Sequence, residues 1–130
     1  MIRFGAITDV QYANIDDASG RSYRGSIPKL LEAAGVFARE KFPFVLQFGD
    51  AMNGDWNNHA AVCEIFKVAE KNGVVWRHVL GNHDLLVSDV QKSAIYADFN
   101  VPASGYYDFA AVDPGPRAKF DNPVGAFHHV

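Results

Sequence analysis

The sequence predicts an α/β fold built on a parallel sheet, and two observations predict it. Short apolar β-rich runs alternate with stretches whose apolar residues recur at helical spacing. The first three runs also end in polar residues: Asp9, then Asp50, then Asn82-His83-Asp84. Strand–helix–strand repetition implies parallel strands joined by right-handed crossovers. Such strands bring their carboxyl ends to one edge, where open α/β sheets bind ligands.

The elements follow in order. "IRFGAIT" (2–8) is a first strand that ends at Asp9. "PKLLEAAGVFARE" (28–40) is a helix with Ile27, Leu30, Leu31, Ala34 and Ala38 on one face. Ser26 is expected to cap it, and Pro28 suits a first turn. "FPFVLQF" (42–48) is a second strand, ending at Gly49-Asp50. A second helix starts at Asn57 or Asn58, carries Val62, Ile65, Phe66 and Ala69 on one side, and stops at Gly73. "VVWRHVL" (74–80) is the third strand. A third helix is expected between Ser88 and Phe99, and "GYYDFAAV" (105–112) as a fourth strand. From Ala110 the chain turns Pro- and Gly-rich without a clear period, so residues 1–109 are read as the folded unit and 110–130 as an atypical tail.

A chain of 130 residues makes one domain, and 48% hydrophobic with 21% charged residues is a globular composition. A net charge of -3 gives no support to a nucleic-acid-binding surface. Cys63 is the single cysteine, so no internal disulfide forms; in "VCEIF" it reads as a small buried residue rather than a nucleophile. "MIRFGAIT" is too short for a signal peptide, and no apolar run approaches the ~20 residues of a membrane span. The expected setting is cytoplasmic, with no membrane partner.

Two carboxylates, an amide and an imidazole meeting at one edge would repel or stay unpaired unless a cation joined them. Taken singly, Asp9, Gly49-Asp50 and Asn82 to Asp84 have ordinary readings as caps and turns. Together they favour a divalent metal, for which Asp, Asn, Gln and His are competent ligands. Gln11 lies two residues after Asp9 and so can reach the same side. A bridging Asp could support two ions ~3.5–4 Å apart, a geometry suited to phosphoryl transfer. "SGRSYRG" (19–25) adds Arg21 and Arg24, read either as holders of a second substrate phosphate or as solvated loop residues. His59 and His78 read as core or surface residues rather than ligands.

"GAITDVQY" (5–12), "LQFGDAMNG" (46–54) and "LGNHD" (80–84) resemble the first three motifs of the calcineurin-like metallophosphoesterases. The resemblance runs from Ile2 to about Phe109. The family's first motif usually reads Asp-x-His; Asp9-Val10-Gln11, with "YANIDD", is similar to the manganese-dependent ADP-ribose/CDP-alcohol diphosphatase branch. The implied fold is the β-α-β-α-β half of an α-β-β-α sandwich.

The resemblance implies Asp9 and Gln11 on one metal, Asp50 bridging two, and Asn82 on the second metal and near substrate phosphate. It makes His83 a catalytic group that is not a ligand, oriented by Asp84. Two divalent ions are implied. Gln11 in place of a His ligand favours manganese, with iron, zinc and magnesium as alternatives. The implied substrate is a small phosphate ester or nucleotide diphosphate, hydrolysed at a phosphodiester or diphosphate bond.

The family completes its metal site with later histidines, one after a further strand and then a Gly-His-x-His motif. The late histidines here are His128 and His129. Neighbours on a strand point to opposite faces, so "FHHV" is a poor substitute. The expectation is an incomplete site in a truncated chain, with an uncovered apolar sheet face that homo-oligomerisation could bury. The alternative function is a non-catalytic metal- or nucleotide-binding remnant. A dinucleotide-binding domain is disfavoured, because no Gly-x-Gly-x-x-Gly follows the first strand.

Overall fold

The expected alternation forms in a computed structural model that describes residues 1–110. Six elements succeed one another: β1 (Gly5–Ile7), α1 (Ser26–Glu40), β2 (Val45–Phe48), α2 (Trp56–Lys71), β3 (Trp76–Val79) and α3 (Asp89–Asp98). The strands make one parallel sheet in the order β1-β2-β3, with Gly5 opposite Val45 and Val45 opposite Trp76.

The ladder is shorter than the apolar runs that announced it. Pairing starts only at Gly5 and Val45. Residues 2–4 stay outside the sheet and exposed.

Helix ends follow local chemistry, with one correction. Ser26 does not cap α1; it is the first helical residue, its hydroxyl donates to the Ser22 carbonyl, and Gly25 holds the cap position with no side-chain bond. Leu31 also leaves the expected face and is 50% exposed. The buried stripe is turned toward Phe37, whose ring meets Trp76 edge-on at 5.9 Å. Asp55 caps α2 by accepting from the Asn57 N–H at 2.9 Å. Gly73 follows the last turn at φ +91, a conformation that glycine adopts without strain. Val62, Ile65, Phe66 and Ala69 are all buried, as their spacing implies. Ser88 and Gln91 form a reciprocal capping box on α3.

The expected fourth strand does not form over 105–110. That segment is anchored by side chains instead of a backbone ladder. The Tyr107 hydroxyl donates to the His78 carbonyl at 2.9 Å, and Phe109 lies edge-on to Phe44 and beneath the Arg77 guanidinium. Residues 111–130, which include most of the expected tail together with His128 and His129, lie outside the described residues.

Side chains alternate across the sheet. Val45 and Trp76 belong to the core under α1 and α2, joined there by the buried Gln47 and His78. On the other face Phe48 and Val79 are 52% and 48% exposed. Cys63 is buried in α2, and burial, with Asp98 nearby, pushes its thiol up to about 12. It is no free nucleophile. Among the described residues no helix is long and apolar enough to cross a membrane.

Candidate metal centre

Backbone bonds lace the three strand-end loops together. The Asp9 N–H donates to the Gly49 carbonyl at 3.2 Å, and the Gln11 N–H to the Asp50 carbonyl at 2.9 Å. The Gly54 N–H donates to the His83 carbonyl at 3.1 Å. The first loop is thus tied to the second, and the second to the third.

Glycine makes this approach feasible. A Cβ on Gly81 would run into the Asp50 carboxylate and backbone nitrogen, and one on Gly49 would sit 2.8 Å from the Gly81 nitrogen. The motif glycines preceding Asp50 and Asn82 are therefore part of the site.

Asp9, Gln11 and Asp50 all hold left-handed backbone, at φ 52, 45 and 53. Such angles are uncommon for non-glycine residues and cluster at functional sites. The Asp9 carboxylate accepts from Thr8 Oγ1 at 2.6 Å and from the Gln11 amide at 3.3 Å. Asp50 Oδ1 accepts from the His83 N–H at 3.0 Å, while its other oxygen has no hydrogen-bond partner among the described residues. Asn82 is exposed in the following turn.

Asp84 occupies a different place from the one expected. It is fully buried, and its carboxylate accepts from the N–H groups of Asp50 (2.8 Å), Gly81 (2.9 Å) and Met52 (3.1 Å). It clamps two loops and makes no hydrogen bond to the His83 ring, whose Nδ1 is buried without a partner among the described residues. Burial pushes the Asp84 carboxyl above the usual range, while the amide donors pull it down.

The arginines separate as well. Arg24 donates to Asn14 at 2.8 Å and pairs with Asp16 at 2.6 Å, so it braces its own loop. Arg21 lines an open cleft of about 510 Å³ together with Asp9, Gln11 and Lys29. Lys29 is a second cation lining that cleft, and nothing in its helical context singled it out.

The residue types fit a divalent cation: the loops bring Asp9, Gln11 and Asp50 to one edge, one Asp50 oxygen is unpaired among the described residues, and left-handed backbone holds all three. Of the other described histidines, His78 lies on β3, with Nδ1 3.3 Å from Gln47 Oε1, and His59 lies on α2. Neither stands at the loop edge.

The family described as calcineurin-like phosphoesterase matches residues 2–128. The chain is 34% identical over 93 residues to a manganese-dependent ADP-ribose/CDP-alcohol diphosphatase of Xenopus tropicalis, covering 62% of this chain and 27% of that protein. It is 29% identical over 133 residues to the protein of the same name from Oryza sativa subsp. japonica, covering 92% of this chain and 40% of that protein. A crystal structure of a dimetal phosphatase from Danio rerio superposes with a TM-score of 0.58 at 30% identity, over 72% of this chain and 32% of that one. The chain therefore spans well under half the length of these relatives.

Proposed function

The chain belongs to the calcineurin-like phosphoesterase family, and on that premise we propose that it forms the first metal-binding edge of a hydrolase acting on diphosphates of the ADP-ribose/CDP-alcohol type. The observation that carries this reading is the laced set of strand ends, which leaves Asp9, Gln11 and an unpaired oxygen of Asp50 together beside a cleft lined by cations.

Asp9 and Gln11 would hold one divalent ion, Asp50 would reach two, and Asn82 would hold the second and meet substrate phosphate. When bound, the ions, manganese in the first place, supply Lewis-acid charge neutralisation and activate water. Arg21 and Lys29 attract and orient the diphosphate through the cleft. His83, in the loop tied to Asp50 through its backbone N–H, would carry a proton to the leaving oxygen. Asp84 acts on the loops rather than on the imidazole.

A second reading, a metal- or nucleotide-binding module without turnover, is favoured by the absence of a further imidazole at this edge among the described residues. Purified chain with manganese(II) and ADP-ribose separates the two. Bound manganese is followed by electron paramagnetic resonance and AMP by chromatography. The hydrolase reading expects manganese-dependent AMP formation, reduced in Asp50→Ala by more than the ~10–100-fold that loss of a supporting partner costs. Manganese binding that depends on Asp50, without AMP, selects the second reading. No manganese binding at all sinks both.

A further inference from the structure

A second cluster shares no residue with the strand-end edge. His59 and Cys63 stand four residues apart on α2 and so point the same way, and Asp98 arrives at the end of α3. His59 Nε2 lies 2.9 Å from Asp98 Oδ2 and 3.3 Å from Cys63 Sγ, and the three donor atoms all fall within 4.8 Å of one another. The imidazole is held by stacking on Trp56 at 4.9 Å and by the edge of Phe99 at 5.3 Å.

A nucleophile–histidine–carboxylate relay needs the thiol and the carboxylate on opposite ring nitrogens. Here the carboxylate takes Nε2, and Sγ lies against the ring, 3.3 Å from Nε2 and 3.6 Å from Nδ1. No thiol stands aligned on Nδ1 opposite the carboxylate; three donors instead surround one space. We propose that His59 Nε2, Cys63 Sγ and Asp98 Oδ2 form a separate binding site for zinc or a similar borderline divalent cation.

The dimensions suit it. Zinc bonds of ~2.0–2.3 Å in a tetrahedron set ligand edges of about 3.3–3.6 Å. Asp98 Oδ2 and Cys63 Sγ each lie a few tenths of an ångström inside that distance from Nε2, and the sulfur and the carboxylate, within 4.8 Å of one another, draw together as the ion binds. A mixed thiolate, imidazole and carboxylate set favours zinc over manganese, in contrast to the oxygen-rich strand-end site. An open cleft of about 400 Å³ beside the cluster, lined also by Trp56, Glu64 and Lys67, admits the ion and a water as fourth ligand. Lys67 lies 3.7 Å from Asp98 Oδ1, the oxygen that the metal does not need. Binding exchanges the Cys63 S–H bond for a sulfur–metal bond, and the proton leaves to solvent, one per ion. Two buried ligands on one helix and a half-exposed one on the next make this a clamp between α2 and α3.

Cobalt(II) reports on the site because Cys63 is the single cysteine in the chain. Titrating the purified full chain with cobalt(II) chloride should raise a near-ultraviolet sulfur-to-cobalt charge-transfer band that saturates at one ion per chain and is bleached by zinc. Cys63→Ser should lose the band, Asp50→Ala should keep it, and Asp98→Asn should weaken the affinity by about tenfold or more. Circular dichroism confirms that each variant is folded. A folded wild-type chain without the band overturns the site and leaves a hydrogen-bonded latch between helices. Saturation at one ion per two chains, or an Asp98→Asn affinity equal to wild type, overturns it equally.

Discussion

Asp84 is the residue whose environment changes its meaning most. Its place in "GNHD" suggested support for the His83 ring, yet its carboxylate takes three backbone N–H groups from two loops. Asp84→Asn keeps the shape but turns an N–H donor toward one of those donors. Leaving such a buried group unsatisfied costs about 1–3 kcal/mol, to be read as a lower urea midpoint at unchanged slope. An unchanged midpoint would return Asp84 to the imidazole. Asp9, Gln11 and Asp50 were legible as metal-binding candidates because they follow apolar runs at matching topological positions. The different fates of Arg21 and Arg24 were not, since both sit in one polar loop and only folding brings Asn14 and Asp16 to the second.

At the scale of elements, helices were read more faithfully than strands. A helix closes its hydrogen bonds within its own segment, so caps and apolar spacing reveal it, as Ser88 and Phe99 did for α3. The Ser88 hydroxyl accepts from the Gln91 N–H at 3.4 Å, and the Gln91 amide oxygen accepts from the Ser88 N–H at 3.1 Å. Ser88→Ala should destabilise the protein by about 1 kcal/mol in thermal or urea unfolding, whereas Ser88→Asp should cost less. Equal losses from both would mean that the cap does not hold α3. Strands depend on distant partners. "GYYDFAAV" has the composition of one, but Tyr107 and Phe109 attach it to the sheet through their rings and hydroxyl.

For the molecule as a whole, the face of the sheet turned to the helices carries the stability and one pH liability. His78 is buried among Phe66, Trp76 and Phe99, and burial, with Arg77 adjacent, lowers its pKa from 6.5 to about 3. Between these values the unfolded chain takes a proton that the folded chain refuses. This contribution to stability is fully present above 6.5 and is lost as pH falls toward 3, with a slope of up to about 1.4 kcal/mol per pH unit. His78→Phe should flatten that part of a pH series of unfolding midpoints, whatever it does to stability at neutral pH. A slope equal to that of the wild type would show that His78 does not titrate as its burial requires.

The sequence by itself determined the alternation of elements, the parallel sheet and the polar strand ends, because periodicity and sequence position carry them. It also carried the family, in three short motifs at those ends. Tertiary structure alone decided which atom each polar group meets: Asp84 on amides instead of an imidazole, Arg24 on its own loop, Cys63 and His59 against Asp98. Those partners lie tens of residues apart, and hydrogen bonds act over about 3 Å, so only the folded backbone sets who is within reach.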